Sequence, residues 1–127
     1  MPRHPKPTAS ELQILHVLWR RGPSTVNQVQ PELQHGDRVG YTTVLKLLQI
    51  MFDKGLVRRD ESTRPHVFRA AVAEAQVKRR FVTDLLDQVF DGSATSLAMQ
   101  ALSVKRATRD ELRQLRELLD EIEGDPS

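Results

Sequence analysis

The stretch that decides the fold is VGYTTVLKLLQIMFDKGLVRRD, residues 39–60. At about 100° per residue, its middle part predicts a helix with two distinct faces. The apolar face consists of Val44, Leu47, Leu48 and Met51. The polar face lies almost directly opposite and consists of Thr42, Lys46, Gln49 and Asp53. This polar face is either an ordinary solvated surface or a surface that binds a partner.

Two helical segments precede this helix. The segment Thr8–Glu11 has the pattern of a capping box and predicts a first helix, which Gly22-Pro23 ends. A capped second helix follows, and Pro31 should kink it or make it begin later than the pattern suggests, because proline lacks the amide hydrogen. Residues 35–40 predict a turn. The side chains expected to point inward are Leu12, Leu15, Leu18 and Trp19 in the first helix and Val26, Val29 and Leu33 in the second.

A β-hairpin is predicted directly after the third helix. Gly55 predicts a left-handed end to that helix. Leu56–Asp60 and His66–Ala70 predict two strands, and Glu61–Pro65 predicts the turn between them. Three helices followed by a two-stranded hairpin is the order of a winged helix-turn-helix, so the predicted fold class is mainly α.

The C-terminal part of the chain returns to a helical pattern. Its apolar side chains before Asp91 cover a surface too wide for a helix packed on one side only. Thr108–Glu111 predicts a second capping box, which opens a last helix. These helices form either one larger monomeric core or, as we expect, a dimer interface through Phe81, Leu85, Val89, Leu97, Leu112, Leu115 and Leu119. The predicted domains are a flexible arm (1–7), a winged helix domain (8–71) and a helical dimerisation domain (72–127).

The charge of the chain is unevenly distributed. Residues 1–70 carry 11 Lys or Arg against 6 Asp or Glu, a net charge of +5. Residues 71–127 carry 8 against 11, a net charge of −3. A basic first half favours a polyanionic partner such as a nucleic acid, with the second half serving another role.

Other classes of function receive no support from the sequence. The absence of cysteine excludes disulfides and thiolate sites, and the four histidines are scattered, so we expect no metal and no cofactor. No phosphate-binding loop or nucleophile elbow is present, so we predict that the chain is not an enzyme. No apolar run approaches the roughly 20 residues of a membrane span, and no signal peptide is evident. We therefore expect a cytoplasmic protein without membrane insertion.

Three segments resemble a known family when taken in order: TASELQILHVLWRRGPSTVNQV, YTTVLKLLQIMFDKGLVRR and LLDQVFDGSATSL. In combination they are similar to the penicillinase-repressor family of bacterial transcription regulators, from about Thr8 to Ile122. The resemblance implies a homodimer with an N-terminal winged helix domain. It also implies repression of transcription through a two-fold symmetric operator in double-stranded DNA.

The resemblance places the DNA contacts on the third helix and the hairpin. Helix 41–54 would lie in the major groove, and the basic wing at 56–70 would lie on the backbone or in the minor groove. The DNA-binding residues expected from this placement and from the polar face are Tyr41, Thr42, Thr43, Lys46, Gln49, Arg58 and Arg64. Members that respond to β-lactams carry more basic residues along this helix, where this chain has Leu45 and Ile50.

The resemblance also suggests how repression could end. In the antibiotic-sensing branch, a membrane-bound sensor metalloprotease leads to repressor cleavage, and the matching region here surrounds Gln100-Ala101. An Asn followed by an aromatic residue is found there in the sensitive members but not in this chain. Two other hypotheses stay open: a winged helix protein-interaction module without DNA binding, and a repressor that a small ligand releases from DNA.

Overall fold

The computed structural model describes residues 5–33 and 39–124, and it confirms a mainly helical winged helix fold. Most of the turn predicted at residues 35–40 lies outside the described residues. The elements, in chain order, are α1 (Ala9–Arg21), α2 (Val26–Val29), a 3-10 turn (Gln30–Glu32), α3 (Tyr41–Lys54), β1 (Val57–Asp60), β2 (Val67–Ala70), α4 (Glu74–Gln88), α5 (Ala94–Val104) and α6 (Arg109–Gly124).

The predicted capping box at the start of α1 is confirmed. The Thr8 hydroxyl accepts a hydrogen bond from the Glu11 amide (3.2 Å), and the Thr8 amide donates to the Glu11 carboxylate (2.9 Å). The helix packs against α2, α3 and β2. Because α1 is covered from several directions, Ile14 and Val17 are buried in addition to the predicted Leu15 and Leu18. The predicted apolar stripe is therefore narrower than the buried surface of the helix. The other two residues predicted to point inward, Leu12 and Trp19, are half-buried.

The second helix is short and ends before Pro31. Thr25 caps it in a reciprocal pair of hydrogen bonds with Gln28, so its start is not delayed. The helix ends at Val29, and a 3-10 turn containing Pro31 follows, so the proline acts at the end of the helix and not through the predicted kink or late start. The three inward residues Val26, Val29 and Leu33 are buried as predicted.

The hairpin is antiparallel and is fixed to the helices by a third chain segment. Val57 pairs with Ala70 and Asp60 with Val67. On the other side of β2, Phe68 exchanges two backbone hydrogen bonds with Ser24, of 2.9 and 2.8 Å. Both strands begin one residue later than predicted. The amide of Leu56 instead donates to the Met51 carbonyl (2.9 Å) and so closes the end of α3, where Gly55 has a φ of 81°.

The winged helix core includes part of α4. Val77 is buried in this core, and Phe81 packs against it. By packing, the chain divides into two compact units between Val82 and Thr83, which lies inside α4. The boundary that the sequence predicts after residue 71, between a DNA-binding and a dimerisation domain, stays a prediction.

The second unit has a different character, because none of its described residues (83–124) is buried. Its helices are well capped all the same. Ser93 accepts from the Ser96 amide, and Thr108 and Glu111 form the predicted capping box with distances of 2.9 and 3.1 Å. Over the described part of the chain, no helix is long and apolar enough to cross a membrane.

Candidate nucleic-acid interface

The outer face of α3 is open to solvent. Its apolar side chains Val44, Leu48 and Met51 are fully buried, and Leu45 and Leu47 are half-buried against the same core. Of the predicted contact residues on this helix, Thr42, Lys46 and Gln49 lie on the opposite side, Thr43 lies at its edge, and Tyr41 is the first residue of the helix. All five are exposed. The exposed face combines hydroxyls, one amide and one ammonium group, which suit base edges and phosphates.

The start of α3 is attached to the preceding 3-10 turn. The Gln30 side chain in that turn donates to the Val39 carbonyl (2.7 Å), just before α3 begins. Val39 also packs against the core. The N-cap residue is Gly40, and no side chain of the described residues caps the first amides of the helix. Amides of this kind, at the positive end of a helix, are good donors to a phosphate.

The end of α3 is committed to an internal contact. The Lys54 ammonium lies 2.8 Å and 3.0 Å from the two carboxylate oxygens of Glu11, which is 2% exposed. Burial is the largest effect on the Glu11 carboxyl and raises its pKa. The hydrogen bonds from Lys54 and Thr8 and the charge of Lys54 outweigh it, so the pKa lies below its usual value. Lys54 is therefore a structural residue of the domain.

The outward face of the hairpin presents two opposed arginines. Arg58 and Arg69 are directly paired across the strands and are both exposed. They line a shallow cavity of about 380 Å³ together with Pro23, Asp60 and Val67. Like charges directly opposite one another destabilise a sheet. Asp60 offsets part of this repulsion, since, besides the hydrogen bonds from Ser62, the charge of Arg69 helps to lower the pKa of the Asp60 carboxyl. Arg69 lies within the predicted wing at 56–70 but is not among the individual contact residues predicted, although strand alternation combined with the hairpin register would have revealed it.

The remaining arginines of the hairpin differ in their surroundings. The Arg59 guanidinium lies 4.2 Å from the ring centre of Phe52 on α3 and also pairs with Glu61, so it links the hairpin to the helix. Arg64 lies exposed in the turn between the strands. Within the described residues, Lys46, Arg58 and Arg64 form no salt bridge, and these charges are available to a polyanion.

The predicted dimer residues lie in both compact units. Phe81 belongs to the first, where it is half-buried with the Lys6 ammonium 4.6 Å from its ring centre. Leu97 is half-buried on α5. The others are exposed, by 41% at Leu85, 61% at Val89, 37% at Leu112, 37% at Leu115 and 57% at Leu119. Further exposed apolar residues of this unit include Met99, Leu102, Val104, Leu118 and Ile122. Ile122 continues the helical spacing of Leu112, Leu115 and Leu119.

A groove of about 550 Å³ lies between α5 and α6, lined in part by Leu102, Lys105, Leu115 and Leu118. Gln100 and Ala101, where the resemblance places a cleavage site, are exposed and helical within α5. Among the described residues, no group of three or more histidines, aspartates or glutamates is placed to hold a metal ion.

Comparison with known proteins places these features in a family context. A family model described as "Penicillinase repressor" matches residues 7–121. The transcriptional regulator BlaI of Mycobacterium tuberculosis (strain ATCC 25618 / H37Rv) is 31% identical over 115 residues, which cover 90% of this chain and 83% of that protein. The methicillin resistance regulatory protein MecI of Staphylococcus aureus (strain N315) is 20% identical over 113 residues, 89% of this chain and 92% of that protein.

Among solved structures, a MarR family transcriptional regulator from Silicibacter pomeroyi DSS is similar over 98% of this chain and 72% of that chain. The sequence identity is 21% and the TM-score is 0.46, which is too distant to carry an argument.

Proposed function

Because the chain belongs to the penicillinase repressor family, we propose that it represses transcription by binding operator DNA as a homodimer. Its relatives are transcription regulators and not enzymes. The observation that carries the proposal is the exposed polar face of α3, with Lys46 at its centre, beside the exposed arginines Arg58 and Arg64 of the hairpin. In this arrangement α3 enters the major groove, and the hairpin contacts the backbone or the minor groove.

Each part of this surface has a distinct task in the proposed complex. The open amides at the start of α3 bind a phosphate, and Thr42, Thr43 and Gln49 face base edges, because short donors and acceptors suit them. Lys46 and the hairpin arginines neutralise phosphates, which supplies affinity that falls as the salt concentration rises. The one acid on this face, Asp53, lies near the far end of the helix.

The state of the second unit supports the homodimer. None of its described residues is buried, so they form no core within one chain, and the leucines on α6 form a stripe at spacings of three and four residues. A second copy would cover this stripe. A two-fold symmetric dimer would then bind two half-sites about 34–36 Å apart, or a multiple of that distance. We place the protein in the cytoplasm, where its operator would be.

The experiment that tests this proposal is selection of binding sites by the full-length chain from a pool of random duplexes. We expect an enriched motif with two-fold symmetry and a half-site spacing near one helical turn. A winged helix used only for protein interaction would enrich no motif. A repressor relieved by a small ligand would enrich the motif and lose it when that ligand is added. Release through a membrane-bound sensor metalloprotease, with cleavage near Gln100-Ala101, stays a prediction.

A further inference from the structure

Ile50 is an apolar side chain on the polar face of α3. It is 38% exposed and is not one of the buried residues of the core. At about 100° per residue it lies between Thr43, seven residues earlier, and Lys46, four residues earlier, on the arc proposed to face DNA. An aliphatic side chain at this place cannot bind a phosphate, because it has neither a hydrogen-bond donor nor a positive charge.

The other large apolar residues of α3 are all accounted for. Val44, Leu48 and Met51 are fully buried, and Leu45 and Leu47 pack against the core. Tyr41 carries a hydroxyl, and the ring of Phe52 is covered by the Arg59 guanidinium. Among the large aliphatic side chains of α3, Ile50 is therefore the one that is exposed.

The proposed binding mode, on which this inference rests, offers one apolar group to such a side chain. In the major groove, adenine, guanine and cytosine present hydrogen-bonding atoms, whereas thymine adds its C5-methyl group. We infer that Ile50 contacts the C5-methyl of a thymine in each half-site and thereby sets a preference for thymine at that position. Ile50 is thus a specificity-determining residue, while Lys46 beside it supplies affinity.

The position of this thymine follows from the geometry of the helix. Ile50 lies eight residues after Thr42, which is about 12 Å along the axis at about 1.5 Å per residue. Base pairs are spaced by about 3.4 Å. The thymine therefore lies about three to four base pairs from the pair that faces Thr42, provided that α3 follows the groove.

The test removes methyl groups from the DNA one at a time. In the selected operator, each thymine is replaced in turn by deoxyuridine, and the affinity of the wild type and of Ile50→Ala is measured. We expect one thymine per half-site at which the replacement weakens the wild type about fourfold, the value for one buried methyl-sized group. Ile50→Ala should bind the unmodified operator at least about fourfold more weakly than the wild type does. Its affinity should not change when deoxyuridine replaces that thymine.

Two controls keep the result interpretable. Val104→Ala removes an aliphatic side chain that is 78% exposed and lies outside α3, and it should respond to deoxyuridine as the wild type does. Thermal unfolding of Ile50→Ala should match the wild type, because the side chain is not one of the buried residues of the core. If every thymine affects the wild type and Ile50→Ala equally, Ile50 does not contact a methyl group, although Lys46→Ala would still weaken binding. If the selection enriches no duplex, the proposed function and this inference fail together.

Discussion

The Lys54 ammonium donates to both carboxylate oxygens of Glu11, a residue 43 positions earlier in the chain. Glu11 also accepts a hydrogen bond from the Thr8 amide in the capping box of α1. One buried carboxylate thus joins the start of the first helix to the end of α3. The contact fixes how α3 lies on the domain, and a helix must be held rigidly if its outer face is to match a DNA groove.

The first prediction concerns the contribution of this pair to stability. Lys54→Met removes the cation and leaves the Glu11 carboxylate buried, with Thr8 as its remaining partner. The free energy of unfolding should fall by about 1–3 kcal/mol, measured by urea denaturation. Lys78→Met, which breaks an exposed pair with Glu74, is the matched control and should cost less than about 0.5 kcal/mol. If the two variants lose the same free energy of unfolding, the buried Glu11–Lys54 pair stabilises the fold no more than an exposed pair does.

The second prediction concerns pH. The pKa of Glu11 is lower in the folded protein than its ordinary value of 4.5. Its contribution to stability is therefore fully present above about pH 4.5 and is lost as the pH falls through the folded-state pKa. Glu11→Gln retains an acceptor for the Thr8 amide but does not titrate. The urea midpoint of the wild type should fall more steeply than that of Glu11→Gln between pH 6 and pH 3.

Asp60 and Glu111 also have lowered pKa values, the first chiefly through the Ser62 hydroxyl and the second chiefly through the Thr108 amide. Both groups are present in the wild type and in Glu11→Gln, so their contributions cancel in the comparison. Parallel pH profiles for the two proteins would contradict the second prediction.

The third prediction concerns the opposed arginines of the hairpin. Arg69→Gln removes the repulsion from Arg58 but also the attraction to Asp60, so the free energy of unfolding should change by less than about 0.5 kcal/mol. The same change should weaken binding to the selected operator, because a phosphate contact is lost. Thermal denaturation and equilibrium binding measure the two effects. A variant that binds as tightly as the wild type would remove Arg69 from the DNA interface.

The fourth prediction concerns the dimer. Leu85→Asp puts a carboxylate on the exposed apolar surface of α4, where it would be buried by a second copy. Sedimentation should show a monomer, and the monomer should bind the operator at least tenfold more weakly because it occupies one half-site. Val104→Asp makes the same type of change at a residue outside the predicted interface and should remain dimeric. An unchanged mass for Leu85→Asp would place the interface elsewhere.

Local signals in the sequence predicted much of this fold. The capping boxes at Thr8 and Thr108 and the left-handed end at Gly55 each depend on a few neighbouring residues, so the sequence pattern is sufficient for them. The effect of Pro31 was predicted less well, because the second helix ends before it and is neither kinked nor late to begin. The open polar face of α3 was also predicted correctly, because burial of its apolar face leaves the other one exposed.

Long-range contacts could not be predicted in the same way. The Glu11–Lys54 pair and the stacking of Arg59 on Phe52 depend on how distant elements pack. The burial of Val77 in the winged helix core has the same origin, since the pattern of α4 alone does not show what covers it. Which exposed residues contact DNA depends on a partner that is not part of the chain.

The salt dependence of operator binding by Lys46→Ala is the most direct test of the central claim that α3 binds DNA. Lys46 is exposed at the centre of the polar face, and Lys78 on α4 is an exposed lysine outside it. Lys46→Ala should bind more weakly than the wild type, and the slope of log K against log salt should be smaller by about one unit. Lys78→Ala should leave both the affinity and the slope unchanged. If Lys46→Ala binds the operator with the affinity and slope of the wild type, the face of α3 does not touch the DNA.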